Sequence, residues 1–363
     1  LFYAPQDSQT GRSYYRLVDP PFAKLVIGFG LAAANAQAPA ADWQWDQDWQ
    51  SNQDAGGLPS PAALQAGRWA VMLWFPLTLL CIYWIGVKFG GPPAGTLAVL
   101  LFGLNALALL HTRRAMSEGI LLFFSALTLA LLLHKPRWLF LTAAAAALAL
   151  NAKATGAASA GLTLLAAFIP ETRVPIFRRF LRLTATAAIL LVVTLLLNPV
   201  HWNRPLQSLP AAFNARSALM QDQKSSLTAA NPEKVLSTLL MRTASLAGNQ
   251  FYQPPALSDI SNYDAELAGS FDRYLSKPIH RFTQDNLIGT VRLLTATLGL
   301  ILLLRSLLRS PSIPHLILFA GWLLTLLAAL FGSPLPYQRY ALPLVLYEAV
   351  FSATALVWLA RPF

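Results

Sequence analysis

Four cations set among apolar residues are the groups in this sequence best suited to chemistry: Arg113, Arg114, Lys153 and Arg339. The first two belong to His111-Thr-Arg-Arg-Ala-Met-Ser-Glu118. The apolar runs on either side, Pro93–Leu110 and Gly119–Leu133, are each about long enough for one helical crossing of a bilayer. An ionisable residue at or inside a membrane boundary is costly unless it faces protein, water or a ligand. Guanidinium and ammonium groups gathered at one level of a bilayer suit a phosphate or pyrophosphate carried on a lipid. Snorkelling to ordinary headgroups is the competing use. Glu118 stands four residues after Arg114, a spacing that on one helix would let the carboxylate orient the guanidinium.

The setting of these residues follows from composition. The chain has 363 residues, 55% hydrophobic and 12% charged, with mean hydropathy +0.49. Soluble domains carry roughly 25% charged residues, so lipid solvates most of this one. In a soluble protein the net charge of +11 would suggest nucleic acid. Here the basic residues punctuate apolar spans and set orientation instead, so no nucleic-acid partner is expected. The lone cysteine, Cys81, lies within an apolar run and can form neither an intrachain disulfide nor a thiolate metal site. His201 and His280 have no neighbours at ligand spacing, so no metal is expected. The chain opens at Leu1 with no apolar span before it, and the expectation is that a further N-terminal segment with a transmembrane helix precedes it.

The pattern predicts an all-α polytopic membrane protein. Residues 1–66 read as a first water-exposed loop, in which the stretch from Leu25 to Ala36 is too short to cross and fits an interfacial helix. Asp42-Trp-Gln-Trp-Asp-Gln-Asp-Trp49 alternates tryptophan with acid. Interfacial anchoring is the first reading of that stretch and contact with a sugar face the second. Nine crossings are predicted at 69–87, 94–110, 117–133, 138–151, 155–169, 183–197, 287–304, 314–331 and 340–359. Alternating ten-residue segments, the mark of a transmembrane barrel, do not occur. The domains are therefore 1–66, the spans of 67–197, a long partly helical loop at 198–286, and the spans of 287–363. In the long loop, Ala211–Met220 and Pro232–Leu246 have helical composition and Gln250–Pro255 reads as a turn. The acids Asp259, Asp264, Glu266, Asp272 and Asp285 read as a solvated face. Glu348, midway along the last span, reads as a buried, hydrogen-bonded or protonated carboxyl.

Orientation follows from the connectors. One set of ends holds ten basic residues: Lys88, Lys135, Arg137, Arg173, Arg178, Arg179, Arg182, Arg305, Arg309 and Arg361. The short connectors opposite hold four, which are Arg113, Arg114, Lys153 and Arg339. The positive-inside rule places the ten in the cytoplasm and both long loops outside. The four then oppose the rule and share the outer face, which is why a lipid-borne phosphate is the favoured reading.

Four stretches, in order, resemble the polyprenyl-phosphate-dependent glycosyltransferases of the GT-C fold, in pattern most like protein O-mannosyltransferases and the aminoarabinose transferases of lipid A. Asp19-Pro-Pro-Phe-Ala-Lys24-Leu-Val-Ile-Gly28 resembles the family's His/Asp-Pro-Pro-hydrophobic-x-Lys stretch in the first outer loop. Arg114-Ala-Met-Ser-Glu118 resembles Arg-x-x-Met-x-Asp, with Glu118 where Asp is usual. Leu148-Ala-Leu-Asn-Ala-Lys153 resembles Gly-Leu-Ala-x-x-x-Lys, and Arg339-Tyr-Ala-Leu-Pro343 resembles the Arg-Tyr-x-Leu-Pro of a late span. The long outer loop has no specific match. The family's acidic motif lies roughly twenty residues before the Pro-Pro. That places it upstream of Leu1, with Asp7 as a displaced equivalent at poor spacing.

The resemblance implies a GT-C-type helical bundle that moves a sugar from a polyprenyl-phosphate donor to a protein, lipid or glycan acceptor. The reaction would occur at the extracytoplasmic face, in the expected setting of a bacterial cytoplasmic membrane, with inversion at C1. Arg114, Glu118 and Asp19 are the expected catalytic residues. Arg113, Arg114, Lys153, Arg339 and Lys24 are expected to hold the donor phosphate, and neither cofactor nor metal is required. Two other readings use the same cations. One is a lipid-pyrophosphate-dependent glycan polymerase or ligase. The other is a transporter or flippase of lipid-linked sugars, for which the internal repeat such folds show is missing.

Overall fold

A computed structural model of the protein describes residues 17–44, 47–134, 138–169, 175–230, 232–257, 263–332 and 335–361. Asp7, Lys135, Arg137, Arg173 and Asp259 lie outside them, as do Trp45 and Asp46 of the tryptophan stretch. Among the described residues the regular structure is helical, with no strand.

Three short helices come first. Helix α1 (Phe22–Ala33) follows Pro20-Pro21 and spans about 18 Å at about 1.5 Å per residue. That is short of the ~30 Å hydrocarbon core of a bilayer, as expected of an interfacial helix. Phe29 is 76% exposed on it. The helix ends earlier than the expected Ala36 because Asn35 turns the chain at φ +48°. Helix α2 (Trp49–Asp54) is capped by Asp48, whose carboxylate accepts from the Ser51 amide at 2.7 Å. Helix α3 (Pro61–Met72) starts with a Ser60 cap and proline in its first turn.

Five helical stretches are long and apolar enough to cross a membrane: Pro61–Gly103, Ile176–Leu197, Asn286–Arg309, Ile313–Phe331 and Leu342–Leu359. With these the chain is an integral membrane protein. Its first long helix, α4 (Trp74–Gly103), folds in two at Gly90-Gly91, where Gly91 has φ +73° and two prolines follow. A Cβ on Gly86 would lie 2.8 Å from the Cα of Gly95, so the two arms run back along each other. These arms correspond to the first two expected crossings. The second arm, however, stops at Gly103 and does not run on to Leu110. Asn105 opens a separate buried helix, α5 (Ala106–Thr112), by accepting from the amides of Leu107 and Ala108. The Thr283 hydroxyl of the long loop accepts from the Ala106 amide at 2.8 Å.

Shorter apolar helices follow: α6 (Glu118–His134), α7 (Leu139–Ala152) and α8 (Ala157–Phe168). The chain breaks between the last two at Lys153, which is extended, and a 3-10 turn at Ala154–Gly156. A Cβ on Gly156 would sit 2.3 Å from the Ala149 carbonyl, so only glycine permits this reversal. After α9 (Ile176–Leu197) comes the long loop. Its helices are α10 (Pro205–Ala230), longer than the expected 211–220, α11 (Leu239–Ala247) and α12 (Asp264–Leu275). The start expected at Pro232 is only a 3-10 turn, because Thr238 supplies the N-cap for α11. A wide turn at Gly248–Tyr252 stands just before the expected 250–255 turn. The chain closes with α13 (Asn286–Arg309), α14 (Ile313–Phe331) and α15 (Leu342–Leu359).

Helix α15 is central, 67% buried inside the protein, whereas only 11% of α9 is buried. Leucine gains little by leaving lipid for protein, so close packing of small residues must hold such helices together. Gly299 shows this. A Cβ there would be 2.1 Å from the Phe351 carbonyl, so α13 and α15 touch backbone to backbone. The centre of the bundle also holds one fully satisfied ion pair. Arg292 donates to both oxygens of Glu348, each at 2.8 Å, and to Gln284 Oε1 at 2.9 Å. Gln250 donates to the same carboxylate at 3.1 Å. Both charges are 5% exposed. Glu348 is therefore hydrogen-bonded, as its position suggested, and the long loop is pinned to α13 and α15 through it.

Candidate functional site

At the loop-bearing end of the helices lies a cavity of about 1140 Å³. Its floor is built from chain breaks. The bend 113–117 before α6 brings in Arg114, the extended Lys153 ends α7, and the 3-10 turn Gln338–Tyr340 brings in Arg339 ahead of α15. Interruptions of this kind leave side chains at helix ends aimed at one space, which continuous helices would spread along the bilayer normal. The mouth is shaped by the start of α1, with Asp19 and Lys24, and by α10 of the long loop.

Six of the seven expected residues line this cavity: Asp19, Lys24, Arg114, Glu118, Lys153 and Arg339. Arg113 does not. Its guanidinium donates to His280 Nε2 at 3.3 Å, while His280 Nδ1 donates to the Tyr274 carbonyl at 2.8 Å. That pattern places a ring proton on Nδ1 and leaves Nε2 as the acceptor. The Tyr274 ring stacks on His280 at 3.9 Å, and burial pushes its phenol up to about 12. Arg113 thus joins the end of α5 to the long loop.

Glu118 is 1% exposed and accepts from Lys153 Nζ at 2.6 Å. The expected pairing of Glu118 with Arg114 on one helix face fails for a geometric reason. Arg114 lies in the bend and Glu118 is the first helical residue, so the i, i+4 relation has no helix to act on. The carboxylate instead bridges α6 to the end of α7. Lys153 also stands 5.3 Å from the Tyr340 ring centroid, and Arg339 lies over Tyr337 at 4.5 Å. Aromatic faces hold cations without neutralising them.

At the mouth, Asp19 bridges Lys24 at 3.6 Å and Arg216 of α10 at 3.5 Å. Arg216 was not legible as a site residue, because nothing near it in sequence marks it. The same is true of Asp222, whereas Tyr340 stands inside the Arg339-Tyr-Ala-Leu-Pro343 stretch and Tyr337 two residues before it, though neither was expected as a site residue. Trp43 and Trp49, read first as membrane anchors, line the cavity and pack edge-on with Tyr263, all three ring pairs within 5.3–5.6 Å. Tyr263 adopts the left-handed conformation at φ +62° and donates to the Gln47 carbonyl at 2.8 Å. Among the described residues the lining carries five basic side chains against three acidic ones, Asp19, Glu118 and Asp222. Among these described residues two positive charges are in excess. Among the described residues no group of three His, Cys, Asp or Glu side chains could hold a metal.

No protein-family model and no curated protein matches the sequence. Among solved structures, the chain is similar to the archaeal oligosaccharyltransferase AglB from Archaeoglobus fulgidus in complex with an inhibitory peptide and a dolichol-phosphate, with TM-score 0.48 and 13% identity. It is also similar to the Archaeoglobus fulgidus oligosaccharyltransferase with zinc and sulfate, at TM-score 0.47 and 15% identity, and to its apo form, at 0.47 and 12%. Each match covers 94% of this chain and 44–46% of the other, so the chain spans less than half the length of the structures it resembles.

Proposed function

We propose that this chain is a membrane glycosyltransferase that moves a sugar from a polyprenyl-phosphate donor to an acceptor at the extracytoplasmic face. The observation that carries the reading is the convergence of Arg114, Lys153 and Arg339 from separate chain breaks on one cavity, with two positive charges in excess among the described lining residues. A sugar phosphodiester bears one negative charge. The phosphate monoester left after transfer carries about −1.5 to −2 at neutral pH. Two excess positive charges match the second state better than the first, and interactions that strengthen as charge develops are the ones that accelerate a reaction.

In this scheme the C1–O bond to phosphate breaks, and its electron pair leaves with the polyprenyl phosphate. The acceptor oxygen attacks C1 from the opposite face and gives its proton to a base, with inversion at C1. The transition state has oxocarbenium character. Arg114 and Arg339 face the growing phosphate charge. Lys153 faces it too, but its position is set by Glu118, which makes Glu118 a positioning residue. Asp19 holds Lys24 and Arg216 at the mouth, where the donor or acceptor enters. Trp43, Trp49 and Tyr263 supply a flat wall for a sugar or an acceptor chain. The positive-inside count supports the outward orientation, and a bacterial cytoplasmic membrane is the setting adopted for it.

Sugar transfer in proteoliposomes tests this, with a radiolabelled polyprenyl-phosphate sugar mixture as donor and an acceptor extract. Arg114→Ala should lower kcat by about 10²-fold or more, the scale for loss of one donor to a developing oxyanion. Equal transfer by wild type and variant would remove Arg114 from the chemistry. Donor crossing the bilayer unchanged, with no labelled acceptor, would turn the assignment to transport.

A further inference from the structure

A second cavity, of about 450 Å³, opens where α13 and α15 end and α14 begins, beside the fold in α4. Its lining carries Arg305, Arg309 and Arg361, with no acidic residue among the described residues. It lies at the other end of the bundle from the first cavity. Arg339, just before α15, lines one cavity, and Arg361, just after it, lines the other. The 18 residues of α15 between them span about 27 Å at about 1.5 Å per residue. This is the end that the positive-inside rule assigns to the cytoplasm.

The cavity has a structural cause. Gly299 allows α13 and α15 to touch near their middles, and α4 turns at Phe89-Gly90 beside the end of α15, where a Cβ on Gly90 would be 3.9 Å from Val357; the cavity lies between these contacts. Its one histidine is already occupied: His315 shares hydrogen bonds with Ser306 Oγ at 3.2 Å and with Ser312 Oγ, and packs edge-on against Phe89. The three guanidiniums make no ion pair or hydrogen bond among the described residues. Arginines that only snorkel would fan out towards separate headgroups. These come from two elements and enclose one space with apolar walls, including Phe351 and the 43% exposed Trp358.

We propose that this cavity binds the phosphate of an anionic phospholipid, with acyl chains along the apolar wall. Arginine forks suit phosphate oxygens, and basic pockets between transmembrane helices on the cytoplasmic side take such headgroups. The proposal does not depend on the catalytic reading of the first cavity.

The test is native mass spectrometry of the full chain in detergent, titrated with dioleoyl-phosphatidylglycerol or dioleoyl-phosphatidylcholine. The wild type should take one phosphatidylglycerol at least tenfold more tightly than phosphatidylcholine. The triple variant Arg305→Gln/Arg309→Gln/Arg361→Gln should lose that preference. Arg178→Gln/Arg179→Gln/Arg182→Gln on α9 removes the same charge elsewhere at this end and should keep it. If the first triple fails to fold, Arg361→Gln alone should weaken the preference several-fold. Equal weakening by both triples, or no preference in the wild type, would overturn the proposal. Inorganic phosphate that displaces the lipid at equal concentration would assign the site to a free anion and overturn the lipid assignment.

Discussion

The Glu118–Lys153 pair offers the sharpest test of how the cavity floor is held. At 2.6 Å, with Glu118 1% and Lys153 15% exposed, the pair is screened much less than a surface pair. With charge centres about 3 Å apart and an effective dielectric of about 20, the gross attraction is about 5 kcal/mol. Most of that offsets the desolvation of both ions, so the intact pair adds little net stability. Removing one partner is another matter, because the survivor stays buried and uncompensated, at a cost of about 3–5 kcal/mol. Lys153→Met should therefore destabilise strongly. Glu118→Gln, which leaves a lysine able to reach the cavity, should cost less. The double variant should recover at least about 2 kcal/mol of the summed loss. Reversible SDS-induced unfolding in mixed micelles, followed by tryptophan fluorescence, measures all four corners of the cycle. The function should split differently. Glu118→Gln frees Lys153 to move and should raise KM for the donor, while Lys153→Met should lower kcat about tenfold or more. Single variants within about 0.5 kcal/mol of wild type, the range of ordinary surface changes, would refute the idea that this bridge sets the floor.

Three further predictions concern the rest of the bundle. Arg292→Met leaves Glu348 buried with only Gln250 to satisfy it, and should cost about 3–5 kcal/mol. The same unfolding assay should show Arg292→Met/Glu348→Leu recovering much of that loss. Gly299→Ala puts a methyl 2.1 Å from the Phe351 carbonyl; α13 must shift, and a loss of about 1–3 kcal/mol is expected, with Gly269→Ala, which meets nothing within 4 Å, near neutral. Tyr274 has a raised phenol, so the folded state keeps its proton after the unfolded state has lost it. Its contribution is complete below the ordinary tyrosine value of about 10 and fades as pH rises towards about 12. Because the buried hydroxyl has no hydrogen-bond partner among the described residues, Tyr274→Phe should be neutral or stabilising at pH 7 and should flatten the alkaline loss in a pH series of unfolding midpoints.

Much of this architecture was legible because lipid imposes simple rules. Apolar length located the five long apolar stretches, and the charge bias of connectors flagged Arg114, Lys153 and Arg339 as cations in the wrong place. These three do meet in one cavity. What failed was local geometry at helix ends. The count of apolar residues cannot show that Asn105 would cap a new helix, or that residues 113–117 would bend, so Arg113 was expected beside Arg114 on the donor phosphate. The bend sends one to His280 and the other into the cavity. Arg216 and Arg292 were missed for another reason. Each is explained only by a partner more than fifty positions away, Asp19 in one case and Glu348 in the other. No local pattern carries that information.

The two cavities also show why like residues differ in use along one chain. Both gather cations at helix ends beside aromatic rings, but among the described residues the first also holds three carboxylates and the second holds neither acids nor a free histidine. Carboxylates near cations cost affinity for any anion, so a site meant only to retain a phosphate gains by excluding them. A site that must release its anion after each turnover gains by partial neutralisation, since uniform tight binding would lower KM without raising kcat. Under the proposed function, the Glu118–Lys153 bridge and the Asp19 bridge would supply such partial neutralisation. Replacing Asp19 by Asn should therefore tighten binding of a polyprenyl-phosphate product while slowing turnover. Product inhibition measured against transfer rate checks this. Weaker product binding with faster turnover would show instead that Asp19 works by shaping the loop.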